Sequence, residues 1–168
     1  MADLIRPCTE ADFDEVLEVI NDAARAYKGV IPDDRFSEPY MPPAELRHAI
    51  RQGVRFWCLE REGELLGVMG LQEVEDVTLI RHAYVRTGHQ RGGNGARLLA
   101  SLQSRTSRPR LVGTWAAADG AIRFYRRHGF ELVSRDQIPR LLRRYWSVPE
   151  RQVETSVVLA DRTWHEPE

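Results

Sequence analysis

Residues 87–95 read Thr-Gly-His-Gln-Arg-Gly-Gly-Asn-Gly and join an apolar strand pattern, which ends near Val85, to a helical pattern that begins at Ala96. Glycine lets the backbone adopt positive φ and approach a ligand closely. The first N–H groups of a helix lack intrahelical partners and carry a partial positive charge. A turn of this composition can therefore hold a phosphate or pyrophosphate group. A tight turn that needs glycine only for its geometry would have the same sequence.

Two well-known nucleotide-binding patterns do not fit this turn. No Gly-Lys-Ser/Thr follows it, which excludes a Walker A loop, and Leu98 stands where G-x-G-x-x-G requires its third glycine. Antiparallel strands are predicted before the turn, whereas a dinucleotide-binding fold begins with a parallel βαβ unit. A protein that uses the turn for another phosphate ligand stays open as an alternative.

The sequence before the turn predicts helices followed by an antiparallel meander. Apolar runs with short links between them predict hairpin-connected strands over 54–61, 64–73 and 77–86. Upstream, apolar residues at helical spacing predict a helix from Thr9 to about Tyr27. The other elements predicted in this half are a strand over 3–7, an aromatic-bearing loop over 28–42 and a helix over 43–51.

The sequence after the turn alternates between helix and strand patterns. A helix follows the turn directly, and Gly129 is placed to end a later one. The predicted elements are a strand over 110–116, a helix over 117–128, a strand over 130–134, a basic and aromatic segment over 136–147 and a strand over 153–160. We therefore expect a single domain over residues 1–160 and a short, frayed C-terminal tail over 161–168.

Two motifs in this order resemble those of the GNAT superfamily of N-acetyltransferases. Gln90-x-x-Gly93-x-Gly95 matches the family's Q/R-x-x-G-x-G/A, and residues 121–130, Ala-Ile-Arg-Phe-Tyr-Arg-Arg-His-Gly-Phe, look like its A-x-x-F-Y-x-x-x-G-F segment. The predicted order of elements over roughly residues 3–160 is also similar. The resemblance implies an α/β (α+β) acyltransferase fold. In that fold a mixed, mostly antiparallel sheet has helices on both faces, and its central strands splay apart.

The resemblance also implies acetyl-CoA as the co-substrate. The glycine turn would hold its pyrophosphate through Gln90, Arg91, Gly92, Gly93, Asn94, Gly95 and Ala96. The open backbone of Tyr84 and Val85 would pair with the pantetheine arm, since unpaired strand N–H and C=O groups need partners.

Acetyl transfer needs a general acid, an oxyanion donor and a base. By resemblance Tyr125 protonates the leaving sulfur, and a backbone N–H near Val85 meets the oxyanion. Tyrosine with its ordinary pKa near 10 is protonated at neutral pH. Without the resemblance, Tyr125 would be interpreted as an aromatic residue that packs beside Phe124 and Phe130.

The base is where the sequence departs from the family pattern. Neither central strand carries an acid, and Ala118 stands where the family often has an asparagine. His82 is the best substitute, because an imidazole pKa near 6.5 suits a base at neutral pH, although a histidine packed on a strand fits equally. The carboxylates of Glu73, Glu75 and Asp76 could act through water, or they are solvated hairpin charges.

The acceptor is expected to be a small-molecule or peptide amine, bound between the segments 28–42 and 135–152. The aromatic and apolar residues that could form its walls are Tyr27, Tyr40, Met41, Trp57, Trp115, Tyr145 and Trp146. The missing carboxylate leaves a second interpretation open, a non-catalytic acyl-CoA-binding or regulatory module on the same fold.

Composition limits the other partners. With 24 basic and 25 acidic residues the formal net charge is −1, which argues against nucleic acid as the main partner. No signal peptide or transmembrane pattern is present, and Cys8 and Cys58 form no C-x-x-C pair. We therefore expect a cytoplasmic protein without membrane contact. No histidine and cysteine spacing predicts a metal site. A homodimer is compatible with the family resemblance.

Overall fold

Seven strands form one sheet. The structure is a computed structural model that describes residues 2–165. In chain order the strands are β1 (Leu4–Pro7), β2 (Arg55–Arg61), β3 (Glu64–Val74), β4 (Val77–Val85), β5 (Arg110–Trp115), β6 (Phe130–Leu132) and β7 (Ser156–Asp161). Their spatial order is β1-β2-β3-β4-β5-β7-β6. All neighbouring pairs are antiparallel except β4 and β5, so the predicted mixed, mostly antiparallel sheet is confirmed.

Helices cover both faces of the sheet, as predicted. They are α1 (Phe13–Ala24), α2 (Pro43–Arg51), α3 (Asn94–Gln103), α4 (Asp119–Arg127), α5 (Ile138–Tyr145) and α6 (Glu150–Glu154). On one face α3 and α4 pack against Leu71, Ile80 and Val112. The other face carries α1 and α2 over β2 and β3, and α5 and α6 over the far half of the sheet.

The two central strands diverge after a short contact. β4 pairs with β5 only where Thr78–Ile80 faces Arg110–Val112. Beyond Ile80 the strands separate, and the second halves of both strands have no partner on this side. The predicted splay of the central strands is therefore confirmed, and it opens the interior of the sheet.

A β-bulge interrupts β4 beside the splay. Val68 faces Tyr84 but Gly70 faces Arg81, so one extra residue lies on β4 between these pairs. His82 occupies the bulge with φ of 54°. Such a bulge re-aims the side chains around it. Arg81 and His82 consequently both reach the cleft that opens between β4 and β5.

Gly70 makes this bulge possible, since a Cβ there would lie 2.7 Å from Val54 Cγ1 and 2.9 Å from the Arg81 carbonyl oxygen. We expect Gly70→Ala to lower the free energy of unfolding by about 1–3 kcal/mol. Urea unfolding measures the loss. The control is Gly120→Ala on α4, where an added Cβ meets nothing within 4 Å and should be neutral or stabilising. Equal stability of the two variants would contradict the prediction.

The C-terminal third differs most from the sequence prediction. The segment predicted as the start of the last strand instead forms the end of α6, which runs to Glu154, and a turn at Thr155, and β7 begins at Ser156. The tail predicted from residue 161 is partly ordered, because Asp161 lies in β7 and pairs with Arg110 at 2.8 Å. Trp164 packs against the cluster under α5 and α6. The rest of the predicted tail, residues 166–168, lies outside the described residues.

Candidate active site

A cleft with a volume of about 110 Å³ lies where β4 and β5 separate. Its walls come from β4, β5, the start of β7, the turn after α1, the end of the 28–42 segment, α5, α6 and the link between these two helices. The lining side chains and backbone belong to Tyr27, Tyr40, Ile80, Arg81, His82, Tyr84, Gly113, Thr114, Trp115, Leu142, Trp146, Val148, Gln152 and Ser156. The cleft is thus aromatic and apolar on two sides and cationic at Arg81.

Three tyrosines and a tryptophan form the wall on the α1 side. The ring of Tyr27 lies 5.4 Å from Tyr40 and 6.3 Å from Tyr84, and Trp115 Nε1 donates a hydrogen bond of 2.9 Å to the Tyr40 hydroxyl. Burial raises the pKa of Tyr84 well above its ordinary value, and the neighbouring tyrosines raise it further. These contacts hold the 28–42 segment against the cleft.

The glycine turn stands beside this cleft, at the start of α3. Gly93 and Arg91 have φ of 80° and 69°, which curls the backbone before the helix begins at Asn94. The buried Asn94 side chain donates to the His89 carbonyl at 3.0 Å and fixes the turn from inside. The first N–H groups of α3 stay outside the helix ladder and can meet an anion.

Two contacts tie the turn to its surroundings. The Gln90 side-chain amide donates to the Val85 carbonyl at 3.0 Å, and the Thr87 N–H donates to Asp22 Oδ2 on α1 at 2.8 Å. The predicted donor-binding residues Tyr84 to Ala96 therefore run along one anchored segment, from the open edge of β4 to the N-terminus of α3. The exposed Gln90 and Arg91 lie at its outer end.

Tyr125 lies on α4, on the α3 and α4 face of the sheet. Its ring is buried between Phe124, at 5.1 Å, and Phe130, at 5.6 Å. Burial raises the pKa of its hydroxyl above the ordinary value, so the group is protonated at neutral pH and can donate. Among the described residues no hydrogen-bond acceptor holds this proton.

His82 approaches the cleft from β4, with its ring stacked on Phe56 at a centroid distance of 5.9 Å. Nε2 is buried and has no hydrogen-bond partner among residues 2–165. Burial, and to a lesser degree the charge of Arg81, lowers the pKa of His82 to about 3. The imidazole is therefore uncharged at neutral pH and is a weak base in the free protein.

The three hairpin carboxylates do not reach the cleft. Glu75 pairs with Arg144 at 2.9 Å, Asp76 accepts a hydrogen bond of 2.7 Å from the Tyr145 hydroxyl, and Glu73 lies within 4.0 Å of Arg55. All three lie at the end of β4 that is remote from the splay.

The predicted acceptor-wall residues divide into two groups. Tyr27, Tyr40, Trp115 and Trp146 line the cleft. Met41 is buried under α1 and α2, Tyr145 is tied to Asp76, and Trp57 lies on the opposite face under Arg105. Nothing in the sequence distinguishes Arg81, because its position in the cleft depends on the bulge.

Neither a metal cluster nor a membrane span is evident in the described part of the chain. Among residues 2–165 no group of three or more histidine, cysteine, aspartate or glutamate side chains could hold a metal ion. In the same range no helix has the length and apolar character that crossing a membrane requires.

Comparisons with known proteins agree with this arrangement. The family model described as "Acetyltransferase (GNAT) domain" matches residues 17–143. The PaiA N-acetyltransferase of Thermoplasma acidophilum, in complex with coenzyme A, superposes with a TM-score of 0.73 at 15% identity, over 96% of this chain and 99% of that one. The ribosomal-protein-S18-alanine N-acetyltransferase of Escherichia coli gives 0.67 at 19%, over 99% and 97%.

A third similar structure contains the acetyl donor. It is a GNAT family acetyltransferase from Elizabethkingia anophelis with acetyl-CoA bound, with a TM-score of 0.63 and 17% identity over 95% of this chain and 97% of that one. At these identities the likeness shows the fold. No curated protein sequence matches the chain.

Proposed function

The chain belongs to the GNAT acetyltransferase family, and from that premise we propose that it transfers an acetyl group from acetyl-CoA to a primary amine by direct attack, without a covalent enzyme intermediate. The observation that carries the proposal is the separation of β4 from β5, followed along the chain by a glycine turn that opens α3 without a side-chain cap among the described residues. The coenzyme A and acetyl-CoA in similar structures support this donor.

In this proposal the donor occupies the surface from the open edge of β4 to the glycine turn. Acetyl-CoA supplies the acetyl group as an activated thioester. The N–H groups at the start of α3, with Gly92 and Gly93, bind the pyrophosphate, and Gln90 and Arg91 close its outer side. The backbone of Tyr84 and Val85 pairs with the pantetheine amides at the open strand edge, and the donor displaces the Gln90 amide that occupies the Val85 carbonyl in the free protein.

The chain's own side chains then handle the protons. A backbone N–H near Val85 donates to the carbonyl oxygen as that oxygen gains negative charge. The Tyr125 hydroxyl gives its proton to the leaving sulfur as the carbon–sulfur bond breaks, and His82 Nε2 takes the proton that the amine loses as the carbon–nitrogen bond forms. The sulfur therefore gains one proton and the amine loses one, so the products are a neutral thiol and a neutral amide.

The low pKa of His82 leads to a prediction for its replacement. We expect His82→Gln to lower kcat/KM about tenfold, less than the usual 10² to 10⁴ of general acid–base catalysis, because the imidazole is a weak base. A loss below about threefold in a thiol-release assay would remove His82 from the mechanism.

The same variant has a signature in stability. The unfolded chain binds a proton at His82 below about pH 6.5, whereas the folded chain binds it only near pH 3, so stability rises with pH across this interval. Urea unfolding of His82→Gln should show a flatter rise from pH 4 to pH 6.5 than the wild type.

The remaining partners complete the proposal. We propose a cytoplasmic location, because the two cysteines are free in the structure. The acceptor is a small-molecule or peptide amine, and neither nucleic acid nor a membrane is needed. A homodimer and the single domain over residues 1–160 stay predictions.

Thermal unfolding with acetyl-CoA, CoA, ATP and NAD, followed by thiol release with an amine panel, tests the proposed function. A ligand at one hundred times its dissociation constant adds about 2.7 kcal/mol to stability. Stabilisation by acetyl-CoA and CoA together with thiol release supports acetyl transfer. Stabilisation without release on any amine would favour the non-catalytic module. Stabilisation by ATP or NAD alone would favour the nucleotide-binding alternative.

A further inference from the structure

Arg81 in the wall of the cleft and Arg35 in the 28–42 segment lack the partner that comparable arginines have. The other half-buried arginines of the described chain each have a carboxylate within 4.0 Å; these are Arg6, Arg61, Arg86, Arg108 and Arg110. Arg35 and Arg81 are also half-buried, and neither has an acidic partner at that distance among residues 2–165. A partly buried cation without a counter-ion is costly. A ligand can supply the missing charge.

Arg81 is held in position without being neutralised. Its Nη1 donates to Gln72 Oε1 at 3.0 Å, and Gln72 Nε2 in turn donates to the Gln52 carbonyl at 2.9 Å. These neutral partners orient the guanidinium in the wall of the cleft. The remaining N–H groups of Arg81 are free to bind a planar anion in two-point fashion.

Arg35 lies in the 28–42 segment, and its two neighbours in the chain are held in place by contacts with other elements. Asp34 pairs with Arg151 on α6 at 2.9 Å, and Phe36 stacks on Tyr40, a residue of the cleft wall, at 6.2 Å. Arg35 Nε is buried and has no hydrogen-bond partner among the described residues. Arg35 Nε is therefore a second hydrogen-bond donor for which the described residues provide no acceptor.

Glu45 on α2 links the two arginines electrostatically. The charges of Arg81 and Arg35 both oppose the rise that burial causes in the pKa of its carboxyl group, so each arginine lies within electrostatic range of Glu45. Neither arginine forms an ion pair with Glu45 within 4.0 Å. Together the three carry one net positive charge, which suits a single carboxylate better than a dianionic phosphate.

We propose that Arg81, assisted by Arg35, binds a carboxylate of the acceptor, so that the acceptor is a small amino acid. This inference rests on the proposed acetyl transfer and adds the chemical class of the amine. The reactive amine then lies at the splay of β4 and β5, and its carboxylate points to the α2 side of the cleft. The cleft volume of about 110 Å³ suits a small molecule.

The test compares each L-amino acid with its own carboxamide in the thiol-release assay. The amide has the more readily deprotonated α-amine, so intrinsic reactivity favours the amide and any preference for the acid comes from the protein. We expect kcat/KM to be at least about tenfold higher for the best acid than for its amide, since a hydrogen-bonded charge pair contributes this much or more.

Variants connect the preference to the arginines. Arg81→Gln should lower the acid-to-amide ratio by about 10–100-fold, Arg35→Gln by less, and Arg81→Lys should retain part of the ratio. Arg55→Gln removes an exposed arginine from β2 and serves as the control with an unchanged ratio. If Arg81→Gln fails to fold, the lysine variant and Arg35→Gln carry the test.

The outcomes separate this inference from the proposed function. Acetylation of amides or simple amines as fast as acids, or an unchanged ratio in Arg81→Gln, would overturn the carboxylate site and leave acetyl transfer standing. If no amine is acetylated, the proposed function fails. The carboxylate site is then tested separately, by thermal unfolding in the presence of CoA. If amino acids stabilise the CoA-bound protein more than their amides do, and Arg81→Gln loses this difference, the carboxylate site is still supported. If amino acids and amides stabilise it equally, the carboxylate site is refuted.

Discussion

Replacement of Tyr125 by phenylalanine should lower kcat for acetyl transfer by about 100-fold or more, because general acid catalysis typically contributes about 10²- to 10⁴-fold. The ring should keep its place between Phe124 and Phe130, since only the hydroxyl is removed and no described residue accepts its proton. The dissociation constant for CoA and the thermal midpoint should change little. Steady-state thiol release and thermal unfolding together measure the three quantities.

The matched control is Tyr145→Phe. It removes a hydroxyl that donates to Asp76 at the remote end of the sheet, so a small loss of stability with normal turnover is expected. Burial keeps the pKa of Tyr125 above its ordinary value, and kcat should show no loss from deprotonation of this group up to about pH 10. Full turnover of Tyr125→Phe would exclude the hydroxyl as the acid.

Gly95→Asp should weaken CoA binding by about 100-fold or more, because it puts a carboxylate in the first turn of α3, where the proposed pyrophosphate lies, and like charges at such distances cost several kcal/mol. The same carboxylate is favourable for the helix itself, since an acid in the first turn complements the helix dipole. The added carboxylate also faces the Phe124 ring, which opposes this gain. We therefore expect a loss of CoA binding that is much larger than any change in stability. Isothermal titration with CoA and urea unfolding distinguish the two effects.

Gly95→Ala separates charge from bulk at this position. An added Cβ meets only ordinary contacts, the nearest being the Phe124 ring at 3.5 Å, so the alanine variant should bind CoA nearly normally. Equal affinity of Gly95→Asp and the wild type would show that the pyrophosphate does not bind at the start of α3. Equal loss in both variants would point to shape and not to charge.

The sheet was predictable because its signals are local. Alternating apolar residues, hairpin links and the glycine before α3 each lie within a few residues of one another, and they predicted the meander and the order of elements. The bulge at His82 was not predictable, since the residues next to His82 in the sequence contain no signal for a positive φ at this position. α6 was missed because its apolar residue, Val153, also continues the alternation of β7.

In the candidate site, too, the parts that depend on local sequence were predictable and the parts built from distant segments were not. The proposed donor surface is contiguous in sequence, so the motifs alone are enough to propose it. The acceptor side is assembled from distant segments, and composition alone could not separate Trp115 and Trp146, which line the cleft, from Trp57 on the opposite face. Arg81 and Arg35 stand out only once burial and missing partners are known, because their sequence context is that of any surface arginine.

The tryptophans of the cleft wall make the protein its own optical probe. Trp115 and Trp146 face the space that donor and acceptor would share, whereas Trp57 lies beneath Arg105 on the other face and Trp164 lies near the end of the described chain. Indole emission depends on the polarity around the ring and on nearby quenchers. Changes in intrinsic fluorescence therefore report occupancy of the cleft directly, without a label and without turnover.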